Sequence, residues 1–182
     1  MLTDRVTGIW RSIRAIQFPV PAPTRRFFAP VDICEYIRAV LTTSTESSMQ
    51  LTVEALVKAP IAKVWSAYTT PADIVQWNAA SDDWHTTKSS VDLRVGGIFS
   101  SRMEAKDGSF GFDFEGTYTK VVPHECIGYA FGDRNGVVDF TQGADGVTVR
   151  VTFDAETEHP VEQQRQGWQA ILNNFAKHVE KA

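Results

Sequence analysis

From about Pro160 to Glu180 the chain closes in one long amphipathic run. Within it Val161, Trp168, Leu172, Phe175 and Val179 recur at spacings of seven, four, three and four. A single helix with so wide an aromatic face needs a broad apolar surface to lie on. The chain before it offers alternating apolar stretches separated by tight turns, and these build one thing of that shape, a curved antiparallel sheet. The expected fold class is therefore α+β, with the sheet wrapped round the C-terminal helix. A sheet folded about one helix leaves a space between them, and such spaces hold small apolar molecules.

The bulk properties fit one domain. A chain of 182 residues that is 43% hydrophobic has enough apolar surface for a real core. A net charge of −4 and a pI near 5.5 argue against nucleic acid or an anionic membrane as the main partner. No stretch approaches the roughly 20 apolar residues of a membrane span. Cys34 and Cys126 match neither a disulfide framework nor a zinc pattern, so a reducing cytoplasm is the expected location. Cys126 falls in a strand pattern and reads as a buried, inert thiol.

Residues 1–48 differ from the rest. They carry six arginines and no lysine against four acidic residues, a net charge of +2. Residues 49–182 carry seven lysines and five arginines against eighteen acidic residues, a net charge of −6. Four of the eight prolines (Pro19, Pro21, Pro23 and Pro30) lie in the first part, and a Ser/Thr-rich stretch from Thr42 to Ser48 leads into Met49. Three readings stand: an arginine-rich targeting peptide, a helical arm packed on the domain or on a second subunit of a homodimer, or an upstream extension with Met49 as the start. The last is favoured, because the domain pattern begins at Gln50, where the composition changes.

Leu51, Val53, Ala55 and Val57 alternate as a half-buried first strand. Ala59-Pro60 then opens a short helix with Ile61, Val64, Trp65 and Tyr68 on its apolar face, Pro being favoured at the first helical position. Thr70-Pro71 repeats the device, with Ile74 and Trp77 inward. Ser81-Asp82-Asp83-Trp84-His85 reads as a solvated loop that folds Trp84 inward, and Val91 to Val95 leads into a bend at Gly96-Gly97. The remaining strands are expected at Ile98–Ala105, Phe110–Val122, Glu125–Phe131, Val137–Thr141 and Val147–Phe153. Asp107-Gly108, Pro123-His124, Asn135-Gly136 and Asp145-Gly146 are the turns between them.

Period-two alternation sorts the faces. Phe99, Ser101 and Met103 share one side of their strand; Phe110, Phe112, Phe114, Gly116 and Tyr118 share one side of the next. Ile127, Tyr129 and Phe131 point together. These faces look towards the closing helix and its Trp168, Leu172 and Phe175, with Trp77 and Trp84 beside them. The candidate ligand-binding set is thus Trp77, Trp84, Phe99, Ser101, Met103 and Phe112, continued by Phe114, Tyr129, Phe131, Trp168, Leu172 and Phe175. Ser101, the Tyr129 hydroxyl and the indole N–H groups are its expected polar anchors. Asp113 and Glu115 fall on the opposite, solvent side.

The order strand, two short helices, meander and long helix resembles the helix-grip fold of the START/Bet v-like (SRPBCC) superfamily. Ala59-Pro60 with Val64-Trp65, and Thr70-Pro71 with Trp77, resemble the opening of the family related to the C-terminal domain of the heat-shock-protein-ninety ATPase activator. Arg94-Val95-Gly96-Gly97-Ile98-Phe99, Phe114-Glu115-Gly116-Thr117-Tyr118 and Gly167-Trp168 continue the likeness over roughly residues 50–181. The resemblance implies a helix-grip ligand-binding domain at 49–182. For function it implies a small-molecule binder and stops there, because the superfamily includes carriers, polyketide cyclases and aromatases, and the eponymous co-chaperone.

Three functions compete. Foremost is binding of a small hydrophobic or amphipathic molecule between sheet and C-terminal helix, with no cofactor. Second is an enzyme of the polyketide cyclase/aromatase type in which His85 works with Asp82 or Asp83 as acid and base. No matching His or Glu stands at metal-ligand spacing, and there is no nucleophile elbow, phosphate loop or dinucleotide fingerprint. His124, His159 and His178 fall in a turn and at the two ends of the last helix. A co-chaperone-like module ranks third, since 48 residues are too short and too poorly patterned to replace the additional chaperone-binding domain.

Overall fold

The computed structural model describes residues 49–181. The readings of residues 1–48, including Cys34 and the Met49 start, lie outside them. Seven strands alternate their side chains between core and solvent and pair antiparallel throughout: β1 (Gln50–Val57), β2 (Trp84–Val91), β3 (Ile98–Ala105), β4 (Gly111–Val122), β5 (Cys126–Phe131), β6 (Arg134–Gln142) and β7 (Val147–Asp154). Their order is β1-β7-β6-β5-β4-β3-β2. Consecutive strands are neighbours from β2 to β7, and β1 returns to pair with β7 along its whole length. The sheet curls into a half-barrel about three helices, α1 (Ile61–Thr69), α2 (Pro71–Trp77) and α3 (Val161–Lys181), the helix-grip arrangement expected.

The two short helices follow from their prolines and aromatics. Pro71 occupies the first turn of α2 as expected, whereas Pro60 stands one position earlier, as the N-cap of α1 with extended backbone. Trp77 Nε1 donates to the Ala67 carbonyl at 3.0 Å and locks α2 back onto α1. Side chains then pin α3: Lys58 N–H donates to Glu180 Oε1 at 2.9 Å, Asn174 Nδ2 to the Ala79 carbonyl at 2.8 Å, and His178 Nε2 lies 2.8 Å from Asp73 Oδ1. At its other end Gln164, fully buried, donates from Nε2 to the Glu156 and His159 carbonyls and accepts from the Glu156 N–H. A glutamine has no apolar periodicity to betray it, yet this one holds the connector that aims α3 under the sheet.

Three local readings are corrected. Of the loop read at Ser81–His85, Trp84 and His85 instead begin a strand, Trp84–Val91, which the sequence reading did not place. Only Trp84, Thr86, Ser89 and Val91 turn inward, and a bulge between Thr86 and Lys88 shifts the alternation by one residue, which hides the period. Asn135-Gly136 is not the β5–β6 turn, because Gly132-Asp133 makes it, with Gly132 at φ 61°. The Asn135 N–H is instead drawn to the buried Asp154 carboxylate at 2.8 Å, within the ladder. Val161, placed on the core face of α3, is 39% exposed, since the buried stripe starts at Gln164.

Candidate functional site

The concave face meets α3 around a cavity of about 100 Å³. Phe99, Ser101 and Met103 come to it from β3, Phe114 and Tyr118 from β4, Ile127 and Tyr129 from β5, and Val151 from β7. Tyr68, Ile74, Trp77 and Asn78 close it from α1, α2 and the residue after α2. Ser89 and Val91 border it on β2, and Trp168, Ile171 and Leu172 lie across it on α3. None of these side chains is acidic, basic or histidine. Burying a charge without a partner is costly, and the wall is built to avoid it.

Trp77, Phe99, Ser101, Met103, Phe114, Tyr129, Trp168 and Leu172 of the candidate set border this space. Four others do not, and each has a packing reason. Trp84 and Phe112 stack with Phe110 in a separate aromatic group, with ring centroids 6.0–6.3 Å apart. Phe131 packs against the lining residues Phe114 and Trp168, with ring centroids 5.5 and 6.2 Å away, and carries the Arg134 guanidinium 4.6 Å over its ring. Phe175 is fully buried between Tyr68 and Trp77, which stand between it and the cavity. Conversely, Tyr68 and Tyr118 read in sequence as core-facing aromatics, and only the curl of the sheet brings their side chains to one space.

The polar anchors change as well. The Trp77 indole N–H is spent on Ala67, and Trp84, whose buried indole N–H finds no partner among the described residues, is not part of the cavity lining. Ser101 and Ser89 hydroxyls bond each other at 3.2 Å. Burial, and the nearness of Tyr118, push the Tyr68 hydroxyl far above its ordinary pKa. Burial pushes Tyr118 up to about 12. Tyr129 is raised well above the ordinary value, first by burial and then by Tyr68 and Tyr118. All three are neutral hydrogen-bond donors at physiological pH.

These raised values carry a sign. The folded chain holds its phenolic protons more tightly than the unfolded chain, so their contribution is complete below the unfolded pKa of about 10. It is lost as pH rises from there through the folded values. Tyr118, at about 12, removes on the order of 2 kcal/mol across that window. Denaturant titration at pH 8, 10 and 11.5 is expected to show stability falling only above pH 10. Stability that stays level from pH 8 to 11.5 would mean that these hydroxyls meet water and titrate alike in the folded and unfolded chain.

The acid–base candidates are not at the cavity. Asp82 and Asp83 are exposed in the turn before β2, and His85 points to the convex face, opposite Glu104 in the ladder. The Asp82, Asp83 and His85 constellation is thus corrected: alternation sends Trp84 and Thr86 inward and His85 outward. Among the described residues, no three His, Cys, Asp or Glu side chains are grouped to hold a metal ion. Asp113 and Glu115 are solvent-exposed, as their alternation required. Cys126 is buried, and burial raises its thiol pKa. No helix among the described residues is long and apolar enough to cross a membrane.

Comparison with known proteins places this geometry. The family model "Activator of Hsp90 ATPase homolog 1-like protein" matches residues 58–180. No match is found among curated proteins. Among solved structures, the solution structure of the AHSA1-like protein from Aeromonas hydrophila is 48% identical and superposes with a TM-score of 0.70, covering 73% of this chain and 93% of that one. A protein from Cytophaga hutchinsonii is 43% identical with a TM-score of 0.64, covering 72% and 92%. A protein from Chromobacterium violaceum is 25% identical with a TM-score of 0.66, covering 72% and 98%.

Proposed function

The chain belongs to the Activator of Hsp90 ATPase homolog 1-like family, and from that premise we propose that it binds a small hydrophobic or amphipathic molecule between its sheet and α3. The observation that carries this reading is the cavity itself, walled by aromatic and aliphatic side chains and lacking any formal charge. At about 100 Å³ it is smaller than the dry engineered cavity of about 150 Å³ that takes up benzene, so a single ring is the scale of ligand it suits and a modest widening accompanies entry. Larger ligands require the wall to repack, and the fully buried Met103 is the lining side chain best suited to it, Met being the most adaptable of core residues.

Native mass spectrometry of the gently purified protein tests this reading. The expected result is one small molecule retained per chain and released on denaturation, with the complex lost in Phe114→Ala while the fold persists. Phe114 suits this test because it borders the cavity and is only half-buried. An empty protein whose melting temperature also fails to move with any of a panel of lipids and aromatics would overturn the proposal.

A further inference from the structure

Three elements distant in sequence bring phenolic side chains to the same wall: Tyr68 at the end of α1, Tyr118 in β4 and Tyr129 in β5. None of their hydroxyls hydrogen-bonds to another described residue, whereas the neighbouring Ser89 and Ser101 satisfy each other and Thr86 Oγ1 donates to the Asn78 carbonyl at 2.6 Å. Tyr118 and Tyr129 are buried and Tyr68 is half-buried, and hydroxyls without a protein partner beside one cavity are available to a molecule that enters it. A phenol is a stronger donor than acceptor, and raised pKa values keep these three protonated.

Their placement is also enforced. Gly136 stands opposite Tyr129 in the β5–β6 ladder, and a Cβ there would lie 2.6 Å from the Tyr129 ring and 2.8 Å from its hydroxyl oxygen. Only glycine lets that ring lie flat across β6. Phe99 wedges the remaining side, its ring 5.2 Å from Tyr118 and 5.5 Å from Tyr129.

We propose that the molecule held here is uncharged and carries a hydrogen-bond-accepting oxygen, received by the hydroxyls of Tyr68, Tyr118 and Tyr129. The inference rests on the binding function proposed above and narrows it. Among the described residues no cationic side chain lines this wall, and Arg134, which acts on Tyr129 electrostatically, sits over Phe131 outside the lining, so an anion's desolvation would be poorly compensated. A pure hydrocarbon would leave all three donors unpaired.

Isosteric probes test it by NMR titration of the full chain. Cyclohexanone and methylenecyclohexane differ only in C=O against C=CH2, and cyclohexanecarboxylate adds charge. Cyclohexanone is expected to bind about fivefold or more tighter than methylenecyclohexane, the scale of one net hydrogen bond, and the carboxylate weakest of the three. In the triple variant Tyr68→Phe, Tyr118→Phe, Tyr129→Phe the ketone advantage disappears while methylenecyclohexane binds as before. Each single Tyr→Phe change removes only an unpaired hydroxyl and keeps the ring, so the single variants give the same reading should the triple one fail to fold. Equal saturable binding of ketone and alkene, or tightest binding of the carboxylate, overturns the inference and leaves the binding function standing. Absence of saturable binding by all three probes, together with an empty protein in native mass spectrometry, overturns both.

Discussion

Replacing Phe175 by alanine is expected to lower the unfolding free energy by about 3–5 kcal/mol, the usual range for removing a buried phenyl ring. Phe175 is fully buried where the three helices meet, its ring 5.2 Å from Tyr68 and 5.0 Å from Trp77. Edge-to-face pairs of this kind add to the area they bury. The loss has two parts, the apolar area returned to water and the void left behind. That void would open towards the existing cavity, because Tyr68 and Trp77 border both. Collapse into it is opposed by the Trp77 bond to Ala67 and by the Asn174 and His178 links that pin α3. Urea denaturation with an unchanged slope measures the effect. A loss below about 1 kcal/mol would mean that the helices close over the gap and that α3 is not seated as described.

Gly116→Ala should cost about 3 kcal/mol, at the upper end for overpacking, and for the opposite reason. A Cβ at this position would lie 2.3 Å from the Ala130 carbonyl and 2.7 Å from the Phe99 ring. The ring could turn aside, but the carbonyl belongs to the paired strand β5 and cannot move without breaking the ladder. Phe99 lies directly across from Gly116 in the β3–β4 pairing and fills the space where a side chain would stand. Thermal denaturation reads the stability cost, and tyrosine ring signals report whether Phe99 has been driven against Tyr118 and Tyr129. Wild-type stability with undisturbed rings would show that β4 and β5 can separate locally, contrary to the close approach seen here.

How far the sequence led is clearest at particular residues. The face of α3 was legible because Trp168, Leu172, Phe175 and Val179 obey the helical period, and Trp168 does stack on Phe153 with centroids 4.3 Å apart. The faces of β3, β4, β5 and β7 were legible by alternation. Strand β2 was not, because a bulge interrupts it and half its inward residues are Thr and Ser. The β5–β6 turn was misplaced because Asn-Gly is a strong hairpin signal. Here that pair sits in the ladder, where Asn135 meets Asp154 and Gly136 makes room for Tyr129.

The site divides along the same line. Local pattern decides which way a side chain points from its own strand, so Phe114, Ser101 and Tyr129 could be named in advance as inward. Pattern says nothing of depth. Whether an inward ring borders the cavity, as Phe114 does, or packs against its lining, as Phe131 does, depends on the curl of the sheet and the seat of α3. By itself, then, the sequence determined the element types apart from β2, the antiparallel meander and the apolar faces, all short-range consequences of period and turn chemistry. Only the tertiary structure decided that Tyr68, Tyr118 and Tyr129 line one cavity together. Convergence of residues 50 or 60 positions apart is set by packing, and no local rule encodes it.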